Sequence, residues 1–597
     1  MRSISYSEIL ELNRDLGRNL RSGPYKIQVL SNCTVNLLKE ILEYSLRSQG
    51  INAQVNIGDY DNIVQNSLKC GGANLVIIFW EVCNIIDGLQ YKIELFNKEE
   101  LEQTFVRTKS EIDLVFENLN QAPLLIVNKF TTLPFSSSNF RVNNFAEFSD
   151  RLNHYLETNI PDNLKLVDSG KVIADIGIKQ SIDLRNYYSS KALYSVNFWK
   201  AYSEHIKPFV MSANGKARKA VIFDCDNTLW KGILGEDGSD NIKMSPKTKE
   251  GAIFAEIQSI SRTLSAQGIL IGLCTKNNHE DVDEIIRSHP DMQLRDEHIA
   301  IKKVNWSDKV ANLKEIAEEL NIGLDSIVFV DDSPFETNLI REHLPEVVVL
   351  QVPEQLCDYP ALMRENLGLF YDLSLTEEDR RKTEMYRAKT KRANIPKGYA
   401  SLDAYFTSLG LAIMILEDDE AIIPRISQMT QKTNQFNITT RRYTETEIGN
   451  LIRSSLSKVY AFSLTDKFGD SGVAGLGIVH LDWKAQAADI DTFLMSCRII
   501  GRNAEYAFMD HICASLKGSN VRTITASYVR TSKNQLTEDF YDRCGFRLVE
   551  STASVRNYSV DVDQYQPKKV SYIKIIDGKE NQKNHFAGIR YIPTETR

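Results

Sequence analysis

Between residues 219 and 332 the chain places four short apolar runs, "KAVIFD", "ILIGLCTKN", "HIAIKKVNW" and "SIVFVDD", each closing on polar residues and each followed by a stretch that reads as helix. Runs of that length with so few polar positions are strands buried on both faces, and strands alternating with helices predict a parallel sheet covered by helices. All C-terminal strand ends of such a sheet fall on one edge, where ligands bind. The polar residues that close the runs are therefore expected to meet. They are Asp224 with Asp226 two positions on, Thr275, and the pair Asp331–Asp332; Lys309 opens the helix after the third run, in "NWSDKVANLKEIAEEL".

Acids crowded at the mouth of an apolar strand repel each other unless something positive sits between them. Asp224, Asp226 and Asp331 are expected to converge on one hard cation with oxygen-only ligands, a demand that Mg2+ meets. Thr275 and Lys309 supply a neutral and a positive hydrogen-bond donor for a phosphoryl group. Asp224 then reads as the nucleophile toward phosphorus and Asp226 as the acid/base for the leaving oxygen. The four pieces in this order resemble the haloacid-dehalogenase superfamily of phosphotransferases.

At 597 residues the chain is too long for one core. Residues 1–215 read as a first parallel α/β domain, with "KIQVLSNC", "NAQVNIG", "NLVIIFW" and "PLLIVNKF" as strands. Residues 216–372 form the domain of the acids. Residues 373–597 begin with a polar connector helix, "LTEEDRRKTEMYRAKTKRANIP", and continue as a mixed α+β domain with an antiparallel sheet. The fold class is multidomain α/β. A net charge of −8 gives no reason to expect nucleic acid. Nine cysteines without CxxC spacing indicate neither a zinc site nor a disulfide framework, and fit a reducing compartment. No signal peptide or membrane span is expected, since the longest apolar run is short and carries a Glu. These features predict a cytoplasmic protein with no membrane partner.

Four stretches narrow the resemblance. They are "DNTLW-x-G-x-x-GEDG", "CTKNN" at 274–278, "PRISQMTQKTNQFNITTRRYT" at 424–444, and "DKFGDSGVAGLGI" with "MSCRIIGR". Together they resemble the FkbH-type family, which joins a haloacid-dehalogenase-like domain to a C-terminal domain similar to GNAT acyltransferases. The N-terminal third is similar to the SGNH-hydrolase-like domain of long members. The sequence departs from the family pattern at Lys231, Ser333, Thr337 and Asn503.

The resemblance implies transfer of a three-carbon glyceryl unit. A phosphorylated acyl phosphate of the 1,3-bisphosphoglycerate type is captured as an enzyme thioester, loses phosphate, and passes to the phosphopantetheine thiol of an acyl carrier protein. Mg2+ and a carrier-borne phosphopantetheine are the implied cofactors. Cys274 and Cys497 match cysteines typical of the family, and Lys276 and Arg498 beside them would favour a reactive thiol. Arg498 and Gly501 fit the loop that presents backbone N–H groups to a phosphate in GNAT-like domains. Asn534 and Tyr541 fall near the implied pantetheine arm. In the N-terminal domain the turn after the first strand reads "LSNCT", with Ser31 but no Asp, and no Asp-x-x-His precedes residue 215, so a binding or supporting role is expected there. Two other readings stay open: a plain Mg2+-dependent phosphatase with a scaffold C-terminal domain, and an acyl-CoA-dependent N-acyltransferase.

Overall fold

The computed structural model describes residues 4–135, 143–161, 163–373, 385, 402–467, 469–531 and 533–577. Apart from Met385, the connector expected over 375–396 lies outside the described residues. The chain divides into two compact units, residues 1–214 with 443–447, and residues 215–442 with 448–597. No helix among the described residues is long and apolar enough to cross a membrane.

The first unit holds a sheet of β1 (Tyr25–Ser31), β2 (Ala53–Ile57), β3 (Leu75–Phe79), β4 (Leu125–Asn128) and β5 (Leu164–Val167), in the order β2-β1-β3-β4-β5. Every pairing is parallel. β3, "LVIIF", is buried at all five positions, which is why it reads as an unbroken apolar run. At the β1/β3 edge, where ligand sites form in such sheets, side-chain amides lace the loops together. Asn32 exchanges hydrogen bonds with both backbone groups of Glu81, at 2.6 and 2.9 Å, and Asn84 donates to the Asn32 carbonyl at 3.0 Å. The buried Ser31 hydroxyl donates to the Cys33 carbonyl at 2.8 Å, so no attacking hydroxyl is presented there.

The second unit opens with a sheet of β6 (Ala220–Phe223), β7 (Leu270–Thr275), β8 (Ile299–Val304), β9 (Ile327–Asp331) and β10 (Val348–Gln351), ordered β10-β9-β6-β7-β8 and parallel throughout. The four apolar runs are therefore the four central and outer strands expected. Helix α1 (Lys309–Leu320) follows β8. Its N-cap, Asp308, accepts from the Val310 and Ala311 amides at 3.2 and 3.3 Å. Val310, Leu313, Ile316 and Leu320 bury its apolar face, and Asn321 ends it in the left-handed region at φ 53°. Lys309 is thereby fixed at the first turn, on the ligand edge of the sheet, while Asn321 lies at the opposite edge.

The same unit carries an eight-stranded mixed sheet: β11 (Ala412–Glu417), β12 (Ser457–Asp466), β13 (Gly469–Asp482), β14 (Ala487–Met495), β15 (Thr523–Val529), β16 (Arg547–Ser551), β17 (Val555–Asp561) and β18 (Lys574–Asp577), ordered β16-β17-β15-β14-β13-β12-β11-β18. Its strands pair antiparallel except β14/β15 and β11/β18. β14 and β15 are joined only through Ala487–Ile490 and Thr523–Ala526. A bulge at Asp491 then turns β14 away, and the strands part. The gap between them is filled by the chain's own residues 436–438: Ile438 N donates to Phe493 O at 3.1 Å, Met495 N to Phe436 O at 2.9 Å, and Val529 N to Ile438 O at 3.0 Å. This segment belongs to the polar loop after helix α2 (Ile423–Lys432). It satisfies the backbone groups that the splay would otherwise leave bare.

Candidate active site

Asp224, Asp331 and Asp332 each bring a carboxylate oxygen to within 4.8 Å of the others at the C-terminal edge of the five-stranded sheet of β6–β10. Asp224 and Asp331 are buried and Asp332 is half-buried. Lys309, only 4% exposed, donates to Asp224 Oδ1 at 2.8 Å and to Asp331 Oδ2 at 2.7 Å. The Ser333 amide donates to the other Asp331 oxygen at 2.8 Å. Burial pushes the Asp224 carboxyl up to about 6, against the pull of Lys309 and with the push of Asp331. Burial first, then neighbouring Asp224, raises Asp332 as well. One ammonium against three carboxylates leaves a surplus of negative charge in a desolvated site. A divalent cation with oxygen ligands fits that surplus and that donor set.

Asp226 sits differently from the sequence expectation. Its carboxylate is not in the cluster of three; Asp332 takes that place. Asp226 Oδ1 accepts from the Trp230 indole at 2.9 Å and the Leu234 amide at 3.0 Å, and Oδ2 accepts from Asn277 Nδ2 at 3.0 Å. This explains the residues that follow the acids. Asn227 at φ 51° folds the chain back, Trp230 is fully buried, and its N–H is aimed at Asp226. Three donors thus hold the Asp226 carboxylate outside the cluster of oxygens that could take a metal. Asn277 also donates to the Thr275 hydroxyl at 3.1 Å, so β7 contributes a linked pair that carries Thr275 into the site. Asn277, Trp230 and Asp332 were legible only as parts of "CTKNN", "DNTLW" and "VDD"; nothing in those strings says which polar atom faces which.

The two cysteines part company. Cys274 alternates with Thr275 on β7 and points the other way, into the apolar cluster with Ile222, Leu313 and Phe329. It is fully buried, and burial pushes its thiol up to about 12, which disfavours the thiolate that acyl capture needs. Lys276, expected to activate it, instead pairs with Glu336 at 2.7 Å. Cys497 is half-buried in the turn after β14. Its carbonyl accepts from Asn321 Nδ2 at 2.7 Å, which places it at the edge of the five-stranded sheet opposite Asp224. The length of β6 separates the two edges, roughly 16 Å for the five steps from Lys219 to Asp224.

The expected pantetheine contacts are not free. The Asn534 side chain, fully buried, donates to the Asn437 and Val529 carbonyls at 3.0 and 2.9 Å and accepts from Thr531 N and the Tyr528 hydroxyl at 2.8 and 3.2 Å. It locks residues 436–438 into the gap between β14 and β15. Asn534→Ala should strand several buried backbone groups and cost about 2–4 kcal/mol, read as a lowered denaturant midpoint. Tyr541 is buried among Phe540, Phe546 and Tyr558 in the core, away from any open groove. Gly501 has φ 84° with open space around it, as its loop role needs, whereas the Arg498 side chain lies outside the described residues. Helix α3 (Ala504–Gly518) follows that loop, and Glu505, 7% exposed, stands in its first turn.

No family model matches this chain, and the curated proteins searched give no match. Among solved structures, the chain is similar to the N-terminal part of the protein BF1531 from Bacteroides fragilis, containing a phosphatase domain complexed with Mg. The two share 24% identity at a TM-score of 0.55, over 62% of this chain and 100% of that one. Weaker likenesses, at a TM-score of 0.21, are to the ribosomal-protein-S18-alanine N-acetyltransferase of Escherichia coli, 11% identical over 26% of this chain and 97% of that chain, and to a mutant spermidine/spermine N-acetyltransferase SpeG of Vibrio cholerae, 12% identical over 26% and 95%. At these levels of identity the Bacteroides structure establishes a shared fold for the part it covers, and the acetyltransferases carry no argument.

Proposed function

We propose that the chain is a Mg2+-dependent phosphatase-type enzyme coupled to acyl transfer. It takes a three-carbon acyl phosphate of the 1,3-bisphosphoglycerate type, releases phosphate, and passes the glyceryl unit to the pantetheine thiol of an acyl carrier protein. The observation that carries the first half is the cluster of Asp224, Asp331 and the half-buried Asp332, with Lys309 bonded to the first two. Those three acids would hold the cation, which when bound neutralises phosphoryl charge and polarises a phosphoryl oxygen. Asp224 attacks phosphorus, forming an oxygen–phosphorus bond as the bond to the leaving oxygen breaks. Asp226 gives that oxygen its proton, then takes one from the water that frees Asp224. Lys309 and Thr275 hold the phosphoryl oxygens, Lys309 by charge.

The second half rests on the FkbH-type stretches and on the half-buried thiol of Cys497. Its sulfur attacks the acyl carbon, the bond from carbon to the phosphate oxygen breaks, and phosphate leaves with the electron pair. The plain phosphatase is the second reading, favoured by the filled gap between β14 and β15, which leaves no slot there for a pantetheine arm. One experiment separates the two. Incubation with 1,3-bisphosphoglycerate should add a glyceryl-sized or phosphoglyceryl-sized mass that hydroxylamine removes. Cys497→Ala should lose the adduct, and Cys274→Ala should keep it if it folds. Holo carrier protein should discharge it; the apo carrier, lacking the thiol, should not. Phosphate release with no adduct would leave the plain phosphatase.

A further inference from the structure

The edge of the five-stranded sheet opposite the acids is as positive as the acid edge is negative. Six cations gather there: Lys216, Arg218, Lys219, Lys432, Arg442 and Lys533. Their contacts form a continuous chain. Lys219 Nζ donates to the Lys432 carbonyl at 2.7 Å, and Arg442 donates to the Thr430 carbonyl at 2.8 Å, to the Gln431 carbonyl, and to Asn434 Oδ1 at 2.7 Å. Arg218 donates to the Asp325 carbonyl and to the Glu346 carbonyl at 3.1 Å, while Lys533 pairs with the Asp325 carboxylate. Arg442 also lies against Gly215, where a Cβ would meet its guanidinium at 2.4 Å. Lys432 pairs with Asp372.

Among the described residues, Lys216, Arg218, Lys219 and Arg442 have no carboxylate within ion-pair distance. Their hydrogen bonds go to neutral carbonyls. Two of the cations, Lys219 and Arg442, cap the C-terminus of α2, whose half charge offsets only part of one. Burial holds Lys219, Arg218 and Arg442 below their ordinary ranges. Cys497 and the Asp325 carboxylate both lie near Lys219. A cluster of cations that is satisfied in hydrogen bonds but not in charge gains most from an anion.

We propose that this seam, with Lys219 and Arg442 as its principal donors and Cys497 beside them, binds the phosphate of a small phosphorylated ligand. A guanidinium beside neighbouring ammonium groups matches a phosphate with its multiple acceptor oxygens. The chain's net charge of −8 makes the patch local, so it is suited to one anionic group rather than to a polyanion. The adjacent thiol puts the phosphate a short distance from a reacting sulfur. Only the choice of ligand rests on the acyl-transfer reading: the phosphate belongs either to a phosphoglyceryl group or to a prosthetic phosphopantetheine arm.

The test is alkylation of the full-length protein with iodoacetamide, following Cys497 by peptide mass spectrometry and the exposed Cys357 as internal control. Inorganic phosphate, 3-phosphoglycerate and phosphopantetheine are compared with glycerate, pantetheine and KCl at matched ionic strength. A bound phosphate at about ten times its Kd should slow Cys497 by about tenfold and leave Cys357 unchanged. The better of 3-phosphoglycerate and phosphopantetheine names the source. Lys219→Gln and Arg442→Gln should each lose the protection. Asp224→Asn should keep it even with phosphate release gone, so loss of the phosphatase reading and loss of this site are told apart. Protection no greater than with KCl or with the dephosphorylated probes overturns the proposal. So does full protection in both folded variants; if neither variant folds, the comparison of probes on the wild type decides.

Discussion

Asp224→Asn releases phosphate more slowly than the wild type by more than about ten-thousandfold, because the change deletes the attacking oxygen's charge and one arm of the cation site together. The two side chains are nearly the same size, and the amide can still accept from Lys309, so far-ultraviolet circular dichroism and solubility should be unchanged. Two control variants separate the roles that the geometry divides. Asp332→Asn leaves the nucleophile intact and weakens only the oxygen cluster, so it should raise the Mg2+ concentration needed for half-maximal rate. Asp226→Asn should leave that concentration alone and lower kcat, since its carboxylate lies among Trp230, Leu234 and Asn277 and not in the cluster. EDTA should stop all of them. Wild-type phosphate release by Asp224→Asn would remove this edge of the sheet as the active site.

The parts of this site that the sequence made legible are those dictated by strand ends. Once "KAVIFD", "ILIGLCTKN" and "SIVFVDD" are strands of one parallel sheet, Asp224, Thr275 and Asp331 must share an edge, and a helix capped at Asp308 must bring Lys309 to it. Backbone topology alone does that work. What stayed hidden depends on side-chain direction over one or two residues. Whether Asp226 or Asp332 completes the oxygen cluster is decided by a left-handed Asn227 and by an indole four residues on. Cys274 and Thr275 are neighbours in the chain but face opposite sides of β7, and a strand buried on both faces carries no alternation to reveal which is which.

The C-terminal domain was harder for a different reason. The antiparallel strands and helix α3 were readable from the sequence, whereas the parallel pairs β14/β15 and β11/β18 were not. Nor were the three residues that fill the gap between β14 and β15, because Phe436–Ile438 is too short and too polar in context to score as a strand. "QKTNQFN" lies within a stretch that the sequence marks only by its family resemblance. Its middle is a backbone wedge, pinned by Asn534, a residue that sequence comparison had placed beside a cofactor. Asn534 is needed there for its capacity to satisfy four backbone and hydroxyl partners at once.

Lys309→Ala tests whether the acids tolerate one another without their internal cation. In the wild type the ammonium bonds both Asp224 and Asp331, and these two charged partners hold Lys309 well above the ordinary lysine range, so it is charged at every working pH. Removing it leaves two buried carboxylates face to face. Breaking a buried pair from one side typically costs about 3–5 kcal/mol, and the variant should show that loss in denaturant titrations at pH 8 in EDTA. The sign of its pH dependence follows. Burial already raises the folded-state pKa values of Asp224 and Asp331, and without Lys309 they rise further, so the folded protein binds more protons and stability falls as pH rises. The deficit should therefore shrink as pH is lowered from 8 toward 5. Added Mg2+ should restore more stability to the variant than to the wild type, since the ion takes over the missing positive charge. Turnover should not recover with it: a preorganised charge on the phosphoryl group is typically worth about 2.7–4 kcal/mol, a loss of roughly a hundredfold or more at saturating Mg2+. An unchanged midpoint in EDTA together with an unchanged rate would show that Lys309 neither balances the acids nor touches the phosphoryl group. Lost stability with a full rate would leave it a structural counter-ion only.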